Sequence, residues 1–257
     1  MELYSHTVNG ANRTSNVNSF KIGGPATTGF YDNWLNKMVA ISQENGVRLD
    51  FLSWHKYSKD LGDYENDLEK ATHFGGYETI ITELGPNSEN DKVYDENFGA
   101  IHLLATAALM EGKIDKIFNF EIKDGLGKEK YWGRWGMLTH EKWGNPEIKP
   151  RYRAIQFLNN LIGGTNIDVT GQGSWVKAVA KRSDSKVQIL IVNYDPNSTH
   201  SEDVPLKIIN LPFNSFNLKR IDFNGQTSSI RVDTTNNEWS LTQYFRANSA
   251  TIFELTQ

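Results

Sequence analysis

The chain has 257 residues, a formal net charge of -4 with both signs mixed along its length, no cysteine, and an aromatic content of 12%. That length suits one large domain or a medium domain beside a small one, and the charge pattern excludes the long basic face that holds a nucleic-acid backbone. Disulfides and thiol chemistry are excluded too, no window approaches the roughly 20 apolar residues of a membrane span, and the opening MELYSHTVNGANRTSN lacks the basic and apolar regions of a secretory signal, which leaves localisation open.

Up to about Leu161, short β-branched or apolar runs alternate with segments of helical spacing, the pattern of βα units on a parallel sheet. SFKIGGPA reads as a strand stopped by Gly-Gly-Pro. The next segment places Trp34, Leu35, Met38, Val39 and Ile41 on one helical face and stops at Asn45-Gly46. RLDFLSWH is a second strand, and YENDLEKATHF is a polar helical stretch that leads through Gly75-Gly76 into the third strand, TIITE. A long helix from about Asp95 to Glu111 turns Phe98, Ile101, Ala105, Ala108 and Leu109 inward and is closed by Gly112. KIFNFE is the fourth strand, and Pro150 opens a helix whose expected apolar face is Tyr152, Ile155, Leu158 and Leu161.

After Gly163-Gly164 the helical period disappears. SWVKAVAK, KVQILIVNY, VPLKIINL, NLKRIDF and ATIFEL are strand-like runs separated by Asn, Asp, Ser, Gly and Pro clusters, the signature of an antiparallel β-sandwich. The expected division is therefore 1–163, an α/β domain, and 164–257, an all-β domain.

In parallel barrels the reactive groups sit at the C-terminal ends of strands. Here those ends carry Gly24-Pro25, His55 with Tyr57, Glu83, and Glu121 with Asp124, while Trp132, Trp135 and Trp143 occupy the loop after the fourth strand. Carboxylates, hydroxyl-binding groups and indole faces on one rim suit a carbohydrate. Each of these residues also has a plainer reading. Glu83 could be a solvated strand-end glutamate, His55 a structural imidazole, Glu121 a salt-bridge partner of Arg134 or Lys123, and the tryptophans packing. HFGGYE precedes a strand and so is not a phosphate loop, and the six histidines lack metal-ligand spacing.

The segments FKIGGPA, LDFLSWHKY, IITELG and GMLTHEKWGNPEIKPRYRAIQFLNNL, in this order and at these separations, resemble the C-terminal half of family 39 glycoside hydrolases, and the closing NSATIFELTQ resembles the last strand of that family's accessory sandwich. The family contains β-xylosidases and α-L-iduronidases within the clan of retaining (β/α)₈ enzymes. The resemblance implies strands five to eight of a TIM barrel in 1–163 and an accessory β-sandwich in 164–257. It makes Glu83 the nucleophile at the end of the seventh strand and puts His55 near the sugar at the end of the sixth, with Gly24 and Pro25 shaping the fifth. Tyr57, Glu121 and Trp135 join His55 as substrate-binding candidates, and neither cofactor nor metal is required.

The acid/base glutamate of these families lies in an Asn-Glu motif after the fourth strand, a region the resemblance places upstream of this chain. The sole Asn-Glu here, Asn237-Glu238, falls in the sandwich and is not that motif. Glu121 also departs from the family, many members of which carry a tryptophan nearby. Two functions are thus expected as rivals: a retaining glycosidase with Glu83 as nucleophile, by ancestry if not as an isolated chain, and a non-catalytic carbohydrate-binding or structural remnant. The expected partner is a carbohydrate, with no nucleic acid and no membrane. Open barrel edges would favour self-association or an N-terminal half supplied by another chain.

Overall fold

A computed structural model describes residues 2–161 and 163–257. By packing, the chain divides into two compact units that are not contiguous in sequence, residues 1–88 with 112–120 and residues 89–111 with 121–257. The change at 163/164 marks the switch from helices to antiparallel strands.

The first unit contains α1 (Glu2–Asn12), β1 (Gly23–Thr27), α2 (Asp32–Glu44), β2 (Phe51–Tyr57), α3 (Leu61–Ala71), β3 (Glu78–Gly85) and β4 (Lys116–Asn119). Its strands form one parallel sheet in the order β1-β2-β3-β4. The α3 start is fixed by Asp60, whose carboxylate accepts the Gly62 N–H at 2.9 Å. Along β2 the side chains alternate. Trp54 meets Phe30 edge-on at 4.8 Å between ring centroids, and Phe30 touches Phe74, so this face of β2 packs on the residues flanking α2 and α3. Lys56, on the same face, pairs with the buried Asp67 of α3 at 3.0 Å. Burial pushes the Asp67 carboxyl above its usual range despite that pairing.

The expected face of α2 is corrected in part. Leu35 and Met38 are buried, but Trp34 is 59% exposed and Ser42 takes the inward position. Residues 35, 38 and 42 keep the helical spacing; Trp34 falls just outside that stripe.

The second unit contains α4 (Asn97–Met110), α5 (Pro150–Leu158), and the strands β5 (Thr165–Ile167), β6 (Val176–Arg182), β7 (Lys186–Asn193), β8 (Glu202–Ile208), β9 (Ser215–Asp222), β10 (Thr227–Asp233), β11 (Trp239–Phe245) and β12 (Ser249–Thr256). Six strands form an antiparallel sheet in the order β10-β9-β12-β7-β6-β5, and β11 pairs with β8 in a second. One apolar core holds Ile189 and Ile191 of β7, Phe216 of β9 and Phe253 of β12 together with Val204 of β8 and Phe245 of β11. The two sheets therefore share their inner faces, as a sandwich requires. Each fully buried Phe or Ile there contributes about 1.5–3 kcal/mol.

Helix α4 is apolar on nearly every side and is buried accordingly, packing on α5, β6, β7 and β12. The face expected for α5 is wrong by one position. Arg151, Ala154, Phe157 and, just beyond the helix, Leu161 are buried, whereas Ile155 is 39% exposed. The reason is Arg151: its guanidinium stacks on Tyr94 at 4.9 Å and donates to the Trp135 carbonyl at 2.7 Å, so a cation takes a core position by satisfying itself there.

Candidate active site

The site begins with an irregularity in the parallel sheet. From Phe51↔Glu78 to Trp54↔Ile81 the β2 and β3 ladder advances one residue per residue, but the next pair is His55↔Glu83. Thr82 is an extra residue with no partner in that ladder. Its hydroxyl donates to the Trp54 carbonyl at 3.2 Å. Strand β3 shows the same surplus against β4, where Ile81↔Ile117 is followed by Leu84↔Asn119. Strand β1 carries its own surplus residue between Pro25 and Thr27, namely Ala26, at φ 55°. Such bulges bend a strand end and re-aim its side chains. Without the bulge, continued pairing would set Thr82 opposite His55 and turn Glu83 toward the helix-packed face shared by Trp54 and Ile81.

With it, Glu83 shares a face with His55 and Tyr57. The Tyr57 hydroxyl donates to Glu83 Oε2 at 2.9 Å, and His55 Nδ1 lies 3.1 Å from the same oxygen. A carboxylate oxygen only accepts, so the imidazole proton belongs on Nδ1. Glu83 Oε1 has no partner among the described residues, and the side chain keeps 30% of its surface accessible. One oxygen is held and the other is presented. Strand ends β2 and β3 are tied together from α3, because the Tyr64 hydroxyl lies within 3.1–3.4 Å of the carbonyls of Gly85, Ser58 and Lys56.

Of the sequence-derived candidates, the structure brings His55, Tyr57 and Glu83 together in the first unit. Glu121 and Trp135 belong to the second unit, where the Glu121 N–H donates to the Trp135 carbonyl at 2.8 Å. Of the cations named beside Glu121, Lys123 pairs with Glu141 at 2.8 Å, and Arg134 pairs with Asp95. Trp132 lays its ring against Gly125 and Gly127, and Trp143 lies under the Lys142 ammonium at 4.9 Å.

Asp124, expected on the acidic rim, is a correction. It is 2% exposed, with Oδ1 2.6 Å from Lys149 Nζ and 3.0 Å from the Gly136 N–H that it accepts. Burial pushes its carboxyl above the usual range, against the lowering effect of Lys149. Lys149 also reaches Asp95 Oδ1 at 2.5 Å and the Arg134 carbonyl at 2.9 Å. This buried cluster had no signature in the sequence, since its members are dispersed and individually ordinary. Glu238, of the discounted Asn-Glu pair, forms an exposed ion pair with Lys207 at 2.8 Å. Among the described residues no group of three or more His, Asp or Glu could hold a metal ion.

Comparison with known proteins finds similarity to glycoside hydrolases. The family model described as glycosyl hydrolases family 39 matches residues 1–95. A β-xylosidase of Caldicellulosiruptor saccharolyticus is 25% identical over 224 residues, covering 73% of this chain and 43% of the relative. Among solved structures, a glucosidase from Croceicoccus marinus aligns with a TM-score of 0.74 at 17% identity, over 100% of this chain and 64% of its own. A GH39 enzyme from Xanthomonas axonopodis pv. citri gives 0.73 at 16% identity, over 99% and 63%. The chain thus spans under half of the matched β-xylosidase and under two thirds of these two structures. At such identities the structural likeness establishes the fold, while the family model over residues 1–95 and the β-xylosidase match show that the chain is similar to family 39 of the glycoside hydrolases.

Proposed function

We propose that Glu83 is the nucleophile of a retaining glycosidase site acting on xylosides, and that the four parallel strands are the second half of a (β/α)₈ barrel whose catalytic domain occupies 1–163 and whose accessory sandwich occupies 164–257. The observation that carries the reading is the held carboxylate, with Glu83 Oε2 against both Tyr57 and His55 at the C-terminal end of a parallel strand. The sugar class rests on the similarity to a β-xylosidase. Sugar contact by Glu121 and Trp135 belongs to the same proposal on the sequence alone.

In the first step Glu83 Oε1 attacks the anomeric carbon. The bond from that carbon to the leaving oxygen breaks, and the electron pair departs with the leaving group, which takes a proton from a second carboxylic acid about 5–5.5 Å away. That acid is not among the residues assigned here. Tyr57 and His55 fix the carboxylate rotamer and remain as donors to the ester carbonyl of the glycosyl-enzyme. Water then attacks the same carbon, giving its proton to the carboxylate that the second acid became, and the bond from that carbon to Glu83 Oε1 breaks with its electron pair returning to Glu83. A leaving group acidic enough to depart unprotonated removes the need for the second acid in the first step. The outer edges of β1 and β4 are, in this reading, where further strands pair, supplied by another chain or a second copy.

The test is intact-protein mass after incubation with 2-deoxy-2-fluoroxylosyl fluoride, which reacts at the first step and stalls. The parent should gain one fluoroxylosyl group, and Glu83→Gln should gain none. Absence of an adduct on folded parent protein favours the carbohydrate-binding remnant; an adduct that persists on Glu83→Gln removes Glu83 from the role.

A further inference from the structure

At one end of the sandwich unit, the turn joining β9 to β10, the end of β11 and the turn into β12 surround a cavity of about 380 Å³. That volume is within the range of small-ligand sites. None of its residues belongs to the Glu83 cluster.

The wall is built around a fixed cation. Arg220 continues the inward face of β9 past Phe216 and Leu218, where the apolar core gives way to polar groups. Its Nε donates to Asp222 Oδ1 at 2.8 Å, and a terminal nitrogen donates to Gln243 Oε1 of β11 at 3.0 Å, joining one sheet to the other. Asp222 Oδ1 also accepts the Thr251 hydroxyl at 2.6 Å. Arg220 and Asp222 therefore neutralise each other in a rigid frame.

The remaining charged group of the wall, Arg246, has no ion-pair partner among the described residues. Only its main-chain carbonyl is engaged, by Asn193 and Ser249. The wall thus holds one unmatched guanidinium. Around it are side-chain amides of Asn97, Asn224 and Gln226, and Tyr244, whose surface is 53% exposed.

Asn97 Nδ2 donates to the Asn248 carbonyl at 3.2 Å and Asn224 Nδ2 to Gln226 Oε1 at 3.4 Å, which leaves each of these amides a second N–H, and leaves Asn97 Oδ1 and Gln226 Nε2 without a partner among the described residues; such donors and acceptors are what a sugar hydroxyl needs. A guanidinium fork matches a carboxylate through two parallel hydrogen bonds. An exposed phenol ring offers an apolar face for the C–H groups of a pyranose. A simple inorganic anion would use the arginine and leave the rest idle. We propose that this cavity is a second saccharide site that takes a uronic acid residue of an oligosaccharide, its carboxylate on Arg246, its hydroxyls on the surrounding amides and its ring against Tyr244.

The experiment is calorimetric titration of the full chain carrying Glu83→Gln, which removes turnover, with dependence on Arg246 separating this site from the proposed active site. Trigalacturonate is the probe, with xylotriose and inorganic sulfate as comparators. Expected are saturable binding of trigalacturonate, at least tenfold weaker binding of xylotriose, and a loss of tenfold or more in Arg246→Ala. Arg246→Lys should recover only part of that loss, because an ammonium is a point charge without the planar fork. Tyr244→Ala should weaken both sugars. Since Arg246 and Tyr244 are exposed, these variants should keep the parent's unfolding midpoint, which is measured alongside. The inference is overturned by an absence of saturable binding, by equal affinity for trigalacturonate and xylotriose, by indifference to Arg246→Ala, or by sulfate displacing trigalacturonate at equal concentration.

Discussion

Replacing Lys149 by methionine tests the electrostatics of the buried cluster with a sign and a size. Its ammonium is 4% exposed and sits 2.6 Å from Asp124 Oδ1 and 2.5 Å from Asp95 Oδ1. Methionine fills a similar volume without charge. Asp95 keeps Arg134, but Asp124 keeps only the Gly136 N–H, and its Oδ2 already has no partner. Breaking a buried pair in this way costs about 3–5 kcal/mol. The carboxyl can escape part of that cost by taking up a proton. Protonation at pH 7 of a group whose unfolded value is near 3.9 costs about 4 kcal/mol, and at pH 5 only about 1.5 kcal/mol.

The direction follows from linkage. Asp124 already has a raised folded-state pKa, and losing Lys149 raises it further. The folded variant then binds more protons than the unfolded chain, so its stability falls as pH rises from about 4 upward. Urea unfolding followed by tryptophan fluorescence should therefore show Lys149→Met less stable than the parent by about 3–4 kcal/mol at pH 7, and by clearly less at pH 5. Adding Asp124→Asn to the variant should restore part of the loss at pH 7 only. A loss below about 1 kcal/mol, or one that is identical at the two pH values, would refute the account.

Tyr57→Phe removes one of the two donors on Glu83 Oε2 and should slow formation of the fluoroxylosyl adduct about tenfold without moving the unfolding midpoint; a rate equal to the parent's would mean that His55 alone fixes the carboxylate. Asp195, 1% exposed, accepts main-chain N–H groups from Asn197, Thr199 and His200 at 2.6–2.8 Å. Burial alone would raise its carboxyl, but these donors hold it below the usual range, so its stabilisation is present above about pH 4 and is lost as pH falls through the lower folded value. Asp195→Asn should cost about 1–3 kcal/mol at pH 7, with the difference from the parent closing below about pH 3 in thermal unfolding; a gap that persists there would assign the effect to geometry instead of charge.

The order of strands and helices was legible because β2 and β3 are short apolar or β-branched runs and α2 and α4 carry stops at Asn45-Gly46 and Gly112, but β1 is corrected: it occupies Gly23–Thr27 and so runs through the Gly-Gly-Pro expected to stop it. His55 and Glu83 were legible as strand-end residues, which is a matter of position. Their contact was not, because alternation alone aligns Glu83 with Ile81, and Ile81 is 1% exposed in the core. Only the surplus residue Thr82 turns the carboxylate over, and nothing in the letters TIITELG announces a bulge. The face of α5 was misread for a related reason: Arg151 counts as polar in any periodicity, yet a ring and a carbonyl make it a core residue. Asp124 looked like rim chemistry because its partner, Lys149, lies 25 positions away.

The spare residue in β3 makes the site a matter of counting. Regular pairing from Trp54↔Ile81 would bring whatever follows Ile81 opposite His55. If Thr82 were deleted, the residue arriving there would be Glu83 itself, and the carboxylate would keep its neighbour in a straighter strand. An insertion at the same point would need a second bulge to achieve as much. Tolerance to changes in length should therefore be one-sided here: a shortened strand end can preserve the pairing of carboxylate and imidazole, whereas a lengthened one separates them by a further residue, about 3.3 Å of strand.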